Sequence, residues 1–312
     1  MSLAPITLFV YNRPQFTLRT LESILENDLA RESELFIYAD GPKSNANPSQ
    51  LAAIDEVRRI IRSKKWCKNV TIIESALNKG LAPSIIYGVT ETVNLHQKVI
   101  VIEDDVVVSE YFLRFMNEGL EKYKNVNNVF SLGSWNYYYN EAASDTYFIR
   151  LPDTIAWASW KRAWDHFEPD TQKIYNQLTE RGLLNEFNLG GRFPYENMLK
   201  HQLEGKVNSW AIRWTATAFL NNSLTLYPSR SLSKHIGFGA DSTHVKTADY
   251  NEDLVLADTP IQLNDIPLVN DDSAIDAFIN FEKHIRPLKT SYIKKMMHLA
   301  KNLLSKVWLR KH

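Results

Sequence analysis

Between residues 6 and 123 the chain alternates short β-branched apolar runs with longer segments whose apolar residues recur three and four positions apart. The runs Ile6 to Tyr11, Glu34 to Asp40, Asn69 to Glu74 and Lys98 to Glu103 predict strands. The segments Pro14 to Glu26, Pro48 to Arg62, Leu81 to Leu95 and Ser109 to Tyr123 predict helices. This βαβα order predicts an α/β fold, a mostly parallel sheet with helices on both faces. Each predicted strand ends in a polar cluster: Asn12-Arg13-Pro14, Asp40-Gly41-Pro42, Asn78-Lys79-Gly80 and Glu103-Asp104-Asp105. Parallel strands put these ends on one side, where open α/β sheets bind ligands.

The fourth cluster carries the most chemistry. Val99 to Ile102 reads as a buried strand running straight into three carboxylates. Adjacent acids repel, and burying them unpaired costs several kcal/mol each, so a divalent cation, magnesium or manganese, is one explanation for their position. A solvated acidic loop is the other. With a metal on Asp105 bridging a diphosphate, Arg13 and Lys79 could contact phosphate and Asp40 could accept from a nucleotide base. Each cluster taken singly also suits an ordinary turn. Neither GxGxxG nor a Walker lysine motif is present.

Charge adds an asymmetry rather than a partner. Lys plus Arg and Asp plus Glu number 36 each, so net charge gives no indication of nucleic acid. Residues 285–312 nevertheless hold 8 basic residues and no acid, leaving 28 basic against 36 acidic residues elsewhere. In this tail Ile293, Met296, Met297, Ala300, Leu303, Leu304, Val307 and Trp308 form an apolar stripe at helical spacing. It predicts a basic amphipathic helix that docks on an anionic membrane surface, or packs on the acidic body or a second subunit. The single cysteine, Cys67, reads as structural and fits a reducing compartment. No apolar run reaches the roughly 18 residues of a membrane span, so the expected location is cytoplasmic, peripheral on the inner face of the membrane.

The combination Phe9-Val10-Tyr11-Asn12-Arg13-Pro14, Asp40-Gly41, Asn78-Lys79-Gly80-Leu81 and Glu103-Asp104-Asp105 resembles GT-A-fold, nucleotide-sugar-dependent glycosyltransferases, and among them N-acetylglucosaminyltransferase I and its bacterial relatives. The likeness runs from about Leu8 to His244. It implies a Rossmann-like nucleotide-diphospho-sugar transferase fold, with residues 1–125 as the nucleotide-sugar half and 126–248 as the acceptor half of one domain. Residues 249–284 would follow as an irregular acidic wrap or linker, and 285–312 as the amphipathic helix. The resemblance places manganese on Asp105, the donor sugar on Asp104, and the nucleotide base near Arg13 and Asp40. Tyr11, Lys79 and Glu103, in the same motifs, complete the expected donor set.

Farther along, Ser131 to Asn136 resembles the family's Ser-Ala-Trp-Asn segment and Ala156 to Trp164 the stretch that lines its acceptor side, and Trp157, Trp160 and Trp164 follow helical spacing. Tryptophans here suit either stacking on sugar rings or a core. Where the family has Asp-Asp-Trp for its catalytic base, this chain has Asn208-Ser209-Trp210, which holds no acid. Glu196 and Glu204 are the substitute candidates, with Asp165 behind them. Ile236 to His244 resembles the family's donor-closing loop, in which His244 could reach the metal or a phosphate. The expected activity is metal-dependent transfer of a sugar, from a UDP-sugar by preference, to a hydroxyl of a glycan acceptor, lipid-linked or free, in bacterial surface polysaccharide synthesis. The alternatives are a sugar-nucleotide nucleotidyltransferase and a non-catalytic glycan-binding relative.

Overall fold

Four parallel strands form where the alternation predicts them: β1 (Ile6–Val10), β2 (Glu34–Ala39), β3 (Asn69–Glu74) and β4 (Lys98–Glu103). The computed structural model describes residues 2–137, 139, 142–237 and 254–283. Every residue of β1 is buried, as expected of a central parallel strand covered on both faces. The helices between them are α1 (Pro14–Leu25), α2 (Pro48–Arg62), α3 (Leu81–His96) and α4 (Phe112–Lys122). Pro14 and Pro48 open α1 and α2, where a missing N–H costs nothing, and Asn47 with Gln50 closes a capping box on α2. The last helix starts three residues after the predicted Ser109. That hydroxyl is engaged elsewhere, donating to the Ala257 carbonyl at 2.6 Å.

The second half completes the sheet. Its strands are β5 (Val106–Val108), β6 (Val129–Gly133), β7 (Thr146–Ile149), β8 (Ala156–Trp160), β9 (Leu224–Pro228) and β10 (Ser233–His235). Its helices are α5 (Lys161–Trp164), α6 (Thr171–Glu180), α7 (Leu184–Phe187), α8 (Tyr195–Leu203) and α9 (Trp210–Leu220). One eight-stranded sheet runs β3-β2-β1-β4-β8-β6-β9-β7, and all its strands except β7 and β8 share one direction. The fold is therefore α/β with a mostly parallel sheet. A separate antiparallel pair, β5 with β10, sits beyond the end of β4. Residues 254–271 wrap the body without helix or strand, and 272–283 add a helix whose first turn is capped by the Asp271 carboxylate.

The tryptophan segment departs from its helical spacing. Residues 156–160 form strand β8, so Trp157 and Trp160 point to opposite faces and enter different cores. Trp157 joins Trp164, Trp210 and Trp214 beside α3, whereas Trp160 packs under α4 with its indole N–H donating to the Leu120 carbonyl. Trp135 is buried as well. Of the two readings open to these tryptophans, all six follow the core, and Trp135 also borders a cavity. Cys67 is also buried, and burial pushes its thiol up to about 12, in keeping with a structural role. No helix among the described residues is long and apolar enough to cross a membrane. The expected helix at 285–312, and His244 with its loop, lie outside the described residues.

Candidate active site

The carboxyl ends of β1, β2 and β4 lie side by side, and two linked clusters form there. The first is the turn Asp104-Asp105 between β4 and β5. Thr20 of α1 donates to the Asp104 carbonyl at 3.0 Å, and the Tyr11 amide donates to its carboxylate at 3.2 Å, so the ends of β1 and β4 are tied together. Asp105 is 6 % exposed. One of its oxygens, Oδ2, forms an ion pair with Arg13 and lies 3.4 Å from His235 Nε2. The other, Oδ1, is buried with no hydrogen-bond partner among the described residues, a costly condition for a carboxylate oxygen.

His235 arrives through the β5–β10 pair, in which it stands opposite Val106. Ile236 then donates its amide to the Asp105 carbonyl at 2.7 Å. At Gly237 a Cβ would collide with the Asp105 carboxylate, so only glycine lets the backbone pass this closely. Sequence reasoning missed His235. Its signal was adjacency, since it directly precedes the Ile236-Gly237 segment already of interest.

The second cluster centres on Asp40, after β2. Its carboxylate accepts from the amides of Gly41, Lys79 and Gly80 at 2.9, 2.8 and 2.9 Å and from the Asn78 side chain at 2.8 Å. Asp40 thus holds the 78–80 loop in shape, and Gly80, at φ 83°, supplies the left-handed residue that turns it into α3. The exposed Lys79 ammonium lies 5.1 Å from the centre of the Tyr87 ring.

No family model and no curated protein matches this chain. Solved structures do. Residues 1–349 of TarS from S. aureus share 11% identity over 75% of this chain and 60% of that one, with a TM-score of 0.41. The galactosyltransferase LgtC, in complex with donor and acceptor sugar analogs, shares 10% over 72% of each chain at 0.36. Mouse xyloside xylosyltransferase 1 shares 10% over 69% of this chain and 81% of that one at 0.34. Against a longer TarS structure, the chain spans 20% of its length.

Electrostatics single out the acidic turn. Burial, then the charges of Asp105 and Asp104, pushes Glu103 well above the usual carboxylate range. Asp104 rises to about 7, through burial first and the Asp105 charge second, with Arg13 and the Tyr11 amide opposing. A raised folded-state value makes the native state hold protons that the unfolded chain releases. Stability from Asp104 is therefore full near its ordinary value of 3.8 and lost as pH rises to about 7. In chelator-treated protein the melting temperature should fall across that window, and Asp104→Asn should flatten the profile by melting scans at stepped pH. An unchanged slope in the variant would remove Asp104 as its source.

Among the described residues no group of three His, Cys, Asp or Glu side chains is arranged to hold a metal. The donors present nevertheless fit a cation shared with a substrate. Magnesium-type sites use one or two protein ligands and take the rest from phosphate and water. Asp105 Oδ1, which has no partner among the described residues, and the nearby His235 imidazole could serve as such ligands, with Arg13 paired to the same carboxylate.

The proposed base residues stand elsewhere. Glu196 belongs to a polar knot on α8, accepting from Tyr175 at 3.2 Å and Asn188 at 3.4 Å and pairing with Lys200 at 2.6 Å. The Lys200 bond comes first among the causes that lower its pKa, which suits a structural ion pair better than a base. Glu204 is exposed and paired with Lys206 at 2.6 Å, which likewise lowers it. Asp165 pairs with Lys161 at 2.6 Å. None of these partners belongs to the acidic turn.

Proposed function

We propose that this chain is a GT-A-type glycosyltransferase that moves a sugar from a nucleoside diphosphate, UDP by preference, to a hydroxyl of a glycan acceptor. The observation that supports this best is the acidic turn at the carboxyl end of a central strand, where one buried Asp105 oxygen has no partner among the described residues while Arg13 and His235 converge on the other. Asp105 and His235, joined by His244 from outside the described residues, would hold manganese or magnesium. Such an ion would supply positive charge to the departing diphosphate. Arg13 adds cationic charge beside it, Asp104 takes the donor sugar, and the loop pinned by Asp40 offers Lys79 and the Tyr87 ring to the nucleotide.

The finer reading follows the sequence resemblance: an inverting hexosyl- or N-acetylhexosaminyltransferase related to N-acetylglucosaminyltransferase I, acting in bacterial surface polysaccharide synthesis. The tail at 285–312 would dock it on the inner face of the membrane near a lipid-linked acceptor.

A panel of nucleotide sugars, screened by thermal shift with and without manganese, tests the proposal. One donor should raise the melting temperature in a metal-dependent way, because a ligand that binds only the folded state stabilises it. That donor should then yield free nucleoside diphosphate on incubation. Release of pyrophosphate from a sugar phosphate and nucleoside triphosphate would instead mark a nucleotidyltransferase. Binding without any release would mark the non-catalytic relative that the placement of Glu196 and Glu204 accommodates.

A further inference from the structure

A cavity of about 220 Å³ lies between the end of β6, the start of β8, helices α8 and α9, and helix 272–283. We propose that it receives one sugar ring, the terminal unit of the acceptor, end-on. This rests on the transferase reading for its purpose but not for its geometry. Aromatic rings form a continuous belt around it. Tyr137 meets Phe278 at 4.9 Å and Phe281 at 5.7 Å, and Phe193 meets Phe278 at 5.2 Å and Tyr195 at 4.3 Å, all between ring centres. Thr154, Thr215 and Glu282 add polar residues to the wall.

Position connects the cavity to the acidic turn. Thr154 and Ile155 line it, and they immediately precede Ala156, whose cross-strand partner is Ile102. The cavity wall therefore stands where β4 gives way to Glu103 and Asp104. Asp153, fully buried, holds this corner by accepting the amides of Ser134 and Trp135 from one strand end and of Ile155 from the other. Ser134 in turn lies 2.6 Å from Ser233 of β10, the strand that delivers His235 to Asp105. A ring seated in the cavity sits beside the edge where the donor sugar would lie.

Size and chemistry choose the occupant. The volume is below the roughly 300–1,000 Å³ of pockets for drug-sized ligands, so one ring fits and a threaded chain does not. Aromatic faces pack on the C–H surface of a pyranose, while its hydroxyls can donate to Glu282 and exchange hydrogen bonds with the threonines.

Saturation-transfer NMR on the full chain tests this, with UDP plus magnesium as one probe and the methyl glycosides of glucose, galactose, mannose and N-acetylglucosamine as the other. At least one glycoside should receive saturation on its ring protons without displacing UDP. Thr215→Trp, which fills the cavity, should cut that signal at least tenfold and leave the UDP signal in place. Glu282→Gln keeps the cavity open and should weaken the glycoside signal several-fold, so the test stands even if the tryptophan variant melts early. Silence from all four glycosides, a signal indifferent to both variants, or competition with UDP would overturn the proposal. Glycoside binding that responds to the variants while UDP fails to bind the wild type would uphold the cavity and overturn the donor reading.

Discussion

Replacing Asp105 by Asn should abolish the manganese-dependent part of nucleotide-sugar binding, a loss of tenfold or more in affinity, and reduce transfer to background. The amide keeps the shape that packs against Gly237 but removes the charge that pairs with Arg13 and would face a cation. The substitution is not silent for folding. Arg13 and Asp105 are 18% and 9% exposed at their side chains, between a surface pair and a buried one, so losing the pair should cost on the order of 1–3 kcal/mol. Calorimetric titration of donor with and without manganese separates the two effects. A variant that melts slightly early yet binds donor with undiminished metal dependence would defeat the assignment of Asp105.

Trp157→Ala should be the most destabilising change of those considered. Its side chain is fully buried and stacks on Trp210 at 5.4 Å, with Trp164 and Trp214 at 5.8 and 6.0 Å. Removing a buried tryptophan leaves a cavity worth about 3–5 kcal/mol. At about 2–4 °C per kcal/mol for a chain of this order of size, the melting temperature should fall by roughly 6–20 °C. Thermal unfolding decides the matter: a normal melting temperature with weakened acceptor use would return Trp157 to the sugar.

Much of the N-terminal half was legible because its signals are local. A buried parallel strand must be a run of apolar residues, and its exit must be polar, so the bounds Asn69–Glu74, Lys98–Glu103 and Pro48–Arg62 could be read directly from the chain. The second half was less so. Ala156 to Trp160 carries tryptophans at a spacing compatible with a helix, and only pairing with β4 and β6 makes it a strand. For short apolar segments periodicity cannot decide between the two, and the partner strands do.

The acidic turn and its neighbours on β1 and β2 followed from sequence alone, since parallel strands carry their ends to one edge whatever lies between them. What surrounds those residues did not. Asp40 is occupied by four donors of its own and the next loop because the chain returns beside it, and Glu196 is tied into a knot with Tyr175, Asn188 and Lys200. His235 meets Asp105, 130 positions earlier in the sequence, through a two-strand pairing with no sequence signature of its own. Local pattern determines which segments become strands and where their charges emerge. Which side chains then share a carboxylate is set by long-range contacts, whose geometry exists only once the sheet has closed.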